Sequence, residues 1–282
     1  MQGFFVSIHQ DSNSLRSNIN HTFVVMQYTL KKSLGQHFLK DESICIKIID
    51  AVNESLINHN LNNLVEVGPG GGAITKYLLQ IENIDFIAVE LDEEKVVFLE
   101  ATYPKIKEKI IHENFLEIAP PFQEKFMVAG NFPYNISSQI LFKILDWKEQ
   151  VPVVIGMFQK EVAQRVAAKP NSKAYGIISI LIQTFYDVEY LFDVPPESFT
   201  PPPKVMSGVI RLQLRNTTYQ VKSDKAFIQL VKTAFNQRRK MLRNAVKSLF
   251  DPIVLQDEIF NKRAEQLSIE DFAALTFRMQ GN

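Results

Sequence analysis

The sequence predicts an α/β protein, an open sheet flanked by helices, followed by a smaller all-α domain at the carboxyl end. Three observations carry that expectation. Short apolar runs with β preference alternate with segments of helical spacing. A glycine-rich turn joins the first strong strand to a helix, with an acidic residue ending the next strand. A change of composition over residues 216–223 then separates this pattern from a purely helical remainder. The expected division is an N-terminal extension over residues 1–29, an α/β domain over 30–215 and a helical domain over 216–282.

Composition narrows the class before any motif is read. The chain has 282 residues, 46% of them hydrophobic, enough for a large core. Lys plus Arg number 31 and Asp plus Glu 31, so any argument for a polyanionic partner rests on where the charges lie. One cysteine, Cys45, excludes an internal disulfide and a cysteine-based zinc site and fits a reducing cytoplasm. No run is long and apolar enough to cross a membrane, and no metal-binding cluster is expected.

Residues 1–25 are polar and aperiodic, unlike a signal peptide, and Met26 precedes the first organised segment. A mixed basic and apolar stretch, residues 31–40, leads to Asp41, a helix N-cap ahead of the stripe Ile44, Ile48, Val52 and Leu56. Cys45 falls on that helix as a packing residue.

Leu64-Val-Glu-Val-Gly-Pro-Gly-Gly-Gly-Ala-Ile-Thr75 is a strand running into glycines and then a helix. Gly68 and Gly70 let the backbone approach a ligand closely. Strand 84–90 ends in Glu90, 22 residues after Gly68, the distance at which a carboxylate accepts from ribose hydroxyls. The spacing Gly68-x-Gly70-x-x-Ala73 also fits a dinucleotide fold, so a nicotinamide enzyme is a rival reading. After a helix over 92–103 and a strand over 109–112, Asn114 sits where an adenine edge can be read.

Residues 126–130 form a buried strand that Pro133 ends, which puts Asn131-Phe132-Pro133-Tyr134 at a strand's carboxyl end. An Asn131 side-chain oxygen and a Phe132 carbonyl can accept from the exocyclic amine of a base, aiming its lone pair at an electrophile, while Tyr134 stacks on the ring. The competing reading is a strand-end turn with a packed tyrosine. A helix begins near Ile136, and strand and helix continue through 151–158, 161–168 and 175–186. Strands over 188–194 and 205–214 are joined by an extended loop with five prolines that holds Phe199.

The remainder is helical, with Phe227, Leu230, Val231, Ala234, Phe235, Leu242, Ala245, Val246 and Leu249 as a core stripe. Lys232, Asn236, Arg239, Arg243 and Lys247 fall on another face of the same helix. Residues 222–247 carry eight Lys or Arg against one acid, Asp224. Beside a base-handling site, Arg238, Arg239, Lys240 and Arg243 point to phosphate contacts.

Taken together, Leu34-Gly-Gln-His-Phe-Leu39, Val65-Glu-Val-Gly-Pro-Gly70, Val89-Glu-Leu-Asp92, Asn131-Phe-Pro-Tyr-Asn-Ile-Ser137, Pro170-Asn-Ser-Lys-Ala-Tyr-Gly176, Phe199-Thr-Pro-Pro-Pro-Lys-Val205 and Phe235-Asn-Gln-Arg-Arg-Lys240 resemble the ribosomal RNA adenine dimethyltransferases of the KsgA type. The resemblance implies a Rossmann-like, S-adenosylmethionine-dependent methyltransferase sheet. Its reaction is dimethylation of two adjacent adenosines near the 3′ end of 16S rRNA in the small subunit or its precursor, by a cytoplasmic monomer. It implies His37 and Leu39 over the cofactor, Gly68 and Gly70 at its methionine part, Glu90 at its ribose and Asn114 at its adenine. Asn131 would touch cofactor and target, and Tyr134 and Phe199 would sandwich the flipped base. His37 stands where the family has Asn, Asn114 where Asp is common, and Phe132 where Leu is usual. A resistance-type large-subunit methyltransferase and a non-catalytic ribosome-assembly factor remain alternatives.

Overall fold

The computed structural model of the protein describes residues 37–217 and 219–280. The extension expected over residues 1–29, and the segment 31–36, lie outside the described residues.

The described chain enters at β1 (Phe38–Leu39). Asp41 then caps α1 (Glu42–Asn58), its carboxylate accepting from Ser43 N at 3.1 Å and from the Ser198 hydroxyl at 3.0 Å. The expected stripe of Ile44, Ile48, Val52 and Leu56 is buried. Cys45 is buried with it, which pushes its thiol up to about 12. There follow β2 (Asn63–Val67), α2 (Thr75–Leu78), β3 (Asp85–Glu90), α3 (Glu93–Thr102), β4 (Ile110–His112), β5 (Met127–Asn131) and α4 (Ser137–Asp146). Next come β6 (Val153–Gln159), α5 (Lys160–Val166), α6 (Ile177–Phe185), β7 (Tyr186–Val194), β8 (Phe199–Thr200) and β9 (Ser207–Leu214). Beyond the sheet lie α7 (Asp224–Asn236), α8 (Leu242–Ala245) and α9 (Ile269–Thr276), with three 3₁₀ turns between α8 and α9.

Seven strands form one sheet in the order β4-β3-β2-β5-β6-β9-β7. The first five are parallel, and β9 runs antiparallel between β6 and β7. Met127 to Ala129 and Val153 to Phe158 are buried on both faces, which is why these runs are apolar throughout rather than alternating. Strand order reverses between β2 and β5. The connections leave their carboxyl ends on opposite sides of the sheet, and a crevice opens there.

Two elements differ from the sequence expectation. The proline loop is not extended throughout. Pro196–Ser198 is a 3₁₀ turn, and β8 after it pairs antiparallel with β1, Phe38 facing Thr200 and Leu39 facing Phe199. The single helix expected to carry the whole C-terminal stripe is also broken. It ends at Asn236, and Met241 bridges Arg263 before α8 resumes. Gln237 to Lys240 offer no apolar side chain for a helical turn to bury. A change of direction there brings Leu242 and Val246 into the core beside Phe250 and Phe260. That core is shared, because Tyr175, Ile180 and Leu181 of the α/β part belong to it.

Candidate active site

The crevice at the ends of β2, β3 and β5 is a pocket lined by His37, Leu39, Glu66, Gly68, Gly70, Glu90, Asn114, Asn131, Phe132 and Tyr134, among others. Every residue expected to hold a cofactor therefore meets in one cavity, as do three of the four expected at the target base.

At one wall the chain leaves β2 through Gly68 and Gly70, with φ of +67° and +57°, a backbone that a side chain would strain. Gly68 N donates to Val89 O at 2.9 Å, pinning the turn to β3. Glu90, 8% exposed, accepts from Gly70 N at 3.0 Å, Leu91 N at 2.9 Å and Asp92 N at 3.0 Å. Burial raises its carboxyl above the ordinary value, and these three N–H donors oppose the rise. Two of the bonds fall on Oε1 and one on Oε2, so Oε2 keeps a lone pair for a ligand hydroxyl. Across the turn after β4, Asn114 accepts from Leu116 N at 3.1 Å through Oδ1 and donates to Glu117 Oε1 at 2.7 Å.

At the other wall, Asn131 ends β5, and Phe132 N donates to Met157 O at 3.1 Å. The Phe132 ring is 1% exposed and edge-on to Phe158, with centroids 5.1 Å apart. Gly130 and Gly156 make its space, because a Cβ on either would come within 2.7 Å of that ring. The ring thus fixes the backbone while the Asn131 side chain and the Phe132 carbonyl have no hydrogen-bond partner among the described residues. Tyr134 is anchored by its hydroxyl on Ser207 Oγ at 2.5 Å, and burial raises the phenol. Its ring is met by His37, with centroids 5.7 Å apart and planes tilted by 33°. The His37 Nδ1–H donates to Pro201 O at 2.8 Å.

Phe199 is the one of the four residues expected at the target base that lies outside the pocket lining. It is 1% exposed, packed in the core and paired in register with Leu39, and it is not among the residues lining the pocket. Among the described residues, the aromatic ring that meets Tyr134 is His37.

The four basic residues divide into two pairs. Arg238 donates to Glu265 at 2.5 Å and to the Lys173 carbonyl at 2.8 Å, tying the turn before α6 to the helical part, and Arg243 donates to Asn261. Arg239 and Lys240 are exposed. Arg238→Ala is therefore expected to cost about 1–2 kcal/mol of stability in thermal melts. Arg239→Ala with Lys240→Ala should leave the melt unchanged and weaken RNA binding, with a shallower salt dependence.

Glu66 is a pocket residue the sequence reading passed over. It is 1% exposed, accepts from Thr75 Oγ1 at 3.0 Å and leaves Oε2 without a partner among the described residues. Burial pushes its carboxyl up to about 8. Its only signal in the sequence was an acid inside an otherwise apolar strand. The folded chain holds a proton that the unfolded chain gives up near 4.5, so this contribution to stability is complete below that pH and lost as pH rises through about 8. Glu66→Gln cannot ionise, and its melting temperature is expected to gain on wild type as pH is raised from about 5 to about 8.5. Calorimetric melts showing a pH-independent difference would contradict this.

Comparison with known proteins adds independent findings. The family model described as "Ribosomal RNA adenine dimethylase" matches residues 27–280. "Ribosomal RNA small subunit methyltransferase A" of Cytophaga hutchinsonii is 49% identical over 254 residues, covering 89% of this chain and 97% of its own. The protein of the same name from Flavobacterium johnsoniae is 48% identical, covering 89% and 96%. Among solved structures, a dimethyladenosine transferase from Plasmodium falciparum superposes with a TM-score of 0.69 at 22% identity, covering 84% of this chain and 94% of its own. The 23S rRNA methyltransferase ErmE gives 0.61 at 19%, covering 86% and 100%. These two likenesses establish the methyltransferase fold.

Proposed function

Because the chain belongs to the ribosomal RNA adenine dimethylase family, we propose that it transfers methyl groups from S-adenosylmethionine to N6 of two adjacent adenosines near the 3′ end of 16S rRNA. The product is N6,N6-dimethyladenosine in the small subunit or its precursor. The observation that carries the reading is a pair of acceptors on a locked backbone with no partner among the described residues, the Asn131 side chain and the Phe132 carbonyl, in the same pocket as Glu90 and the glycine turn.

The residues fit S-adenosylmethionine. Glu90 keeps a lone pair for a ribose hydroxyl, Gly68 and Gly70 leave the turn without side chains, and Glu66 Oε2, without a partner among the described residues, is open to a hydrogen bond from a ligand. That cofactor supplies a methyl group made electrophilic by its sulfonium. An adenine amine is a weak nucleophile because its lone pair is delocalised into the ring. Accepting its two N–H groups at Asn131 and the Phe132 carbonyl pyramidalises the nitrogen and directs the lone pair into the pocket. Tyr134, held by Ser207, presents a fixed face to the base. Because the group displaced from such a cofactor would be a neutral thioether, orientation of the amine by Asn131 and the Phe132 carbonyl would supply most of the acceleration, with the amine proton passing to solvent after transfer.

Arg239 and Lys240 contact RNA phosphates, while Arg238 and Arg243 act by holding the surface that displays them. The protein works as a monomer in the cytoplasm, and no helix among the described residues is long and apolar enough to cross a membrane.

The test is transfer of labelled methyl from S-adenosylmethionine to purified unmethylated subunits. Incorporation into small subunits and none into large ones is the expected result. Incorporation into large subunits would support the resistance-type alternative, and tight subunit binding without transfer would leave an assembly factor.

A further inference from the structure

We propose that Glu117 is a positioning residue, fixing the Asn114 side-chain amide in the one orientation that reads an adenine edge on the cofactor. The inference rests on the S-adenosylmethionine reading of the pocket. A primary amide can turn by 180° and exchange its donor and acceptor ends at little cost, so an asparagine does not by itself choose between adenine and hypoxanthine. Here both ends are pinned. Oδ1 accepts from Leu116 N at 3.1 Å, and Nδ2 donates to Glu117 Oε1 at 2.7 Å. A turned amide would place its NH2 against the Leu116 N–H and its oxygen against the Glu117 carboxylate, and both contacts repel.

The pinned amide keeps one N–H and one lone pair, and Asn114 lines the pocket with Glu90 and Leu91. Adenine shows an amine donor beside a ring-nitrogen acceptor, the complement of that pair. Hypoxanthine shows the reverse, a carbonyl acceptor beside an N–H donor, and pairs only with the turned amide. The backbone reinforces the arrangement. The Asn114 carbonyl accepts from Glu117 N at 2.9 Å and Ile118 N at 3.3 Å, so Glu117 is held on the turn that Asn114 opens. Glu117 thereby supplies the polarity that an aspartate at position 114 would have by charge alone.

The test uses the full chain and two ligands differing only at the base edge, S-adenosylhomocysteine and S-inosylhomocysteine, with Kd by titration calorimetry and folding checked by melting. Wild type is expected to prefer the adenosyl compound by about 30-fold or more, since a site built for one donor and acceptor pattern rejects its reverse. In Glu117→Ala one of the two pins is lost and only the Leu116 N–H still opposes the turned amide, so hypoxanthine is accommodated better than in wild type. The adenosyl compound then weakens about three- to tenfold, and the preference falls at least about threefold below that of wild type. Glu117→Gln, which retains an acceptor for Nδ2, should recover most of the preference. An unchanged preference in a folded Glu117→Ala would overturn the proposal and leave Glu117 as a turn cap. Failure of wild type to bind either compound would overturn the cofactor reading, and the proposal with it.

Discussion

Asn131→Ala is expected to slow methyl transfer about 100- to 1000-fold in single-turnover assays, with affinity for S-adenosylhomocysteine within about threefold of wild type. The side chain is unpartnered among the described residues, and its backbone belongs to β5, in register with Met157 of β6. Removing the amide therefore leaves the strand end in place. On the proposed function, what is lost is one of the two acceptors that would orient the amine, a contribution made as the nitrogen becomes tetrahedral and hardly at all in the bound ground state. A drop confined to KM would mean that Asn131 binds RNA without taking part in the chemical step.

Glu90→Ala has the largest expected effect on cofactor affinity, a rise in Kd of about 100-fold or more by titration calorimetry. Two losses combine. A buried carboxylate accepting from a ribose hydroxyl would contribute about 1.5–3 kcal/mol. The three backbone N–H groups of Gly70, Leu91 and Asp92 that Glu90 now satisfies would also be left without it. Glu90→Gln keeps one acceptor oxygen and turns an NH2 toward at least one of those donors, so an intermediate loss is expected. Equal affinity in all three proteins would refute the assignment of Glu90.

The parts of this site legible in the sequence are those built from neighbours in the chain. A glycine turn after an apolar strand, an acid at the next strand's end and a proline that stops a third strand each have a local cause. Parallel pairing then brings their ends together. The helix boundaries followed for the same reason, with Asp41 and Asp92 bonding N–H groups two residues on.

What was not legible depends on residues far apart. Nothing around Phe199 indicates that it pairs with Leu39 and turns inward, or that Pro201 meets His37 across 164 positions. Arg238 reads as one of three basic residues in a row. Only Glu265 and the carbonyl of Lys173 show that it braces the fold. Glu66 reads as a polar interruption, and its unpartnered oxygen exists only once β2 is covered on both faces. The C-terminal stripe had helical spacing over its whole length, and tertiary packing of Leu242 and Val246 with Phe250 and Phe260 overrode it.

The central claim is that one pocket holds the methyl donor while the strand end at Asn131 presents an adenosine amine to it. The most direct measurement is mass spectrometry of nucleosides and mapped fragments from 16S rRNA after unmethylated small subunits are incubated with S-adenosylmethionine and either wild type or Asn131→Ala. The prediction is N6,N6-dimethyladenosine at two adjacent positions near the 3′ end with wild type, and neither the mono- nor the dimethyl product with the variant on the same timescale. Dimethyladenosine formed equally by both proteins, or a modified nucleoside other than N6-methylated adenosine, would contradict it.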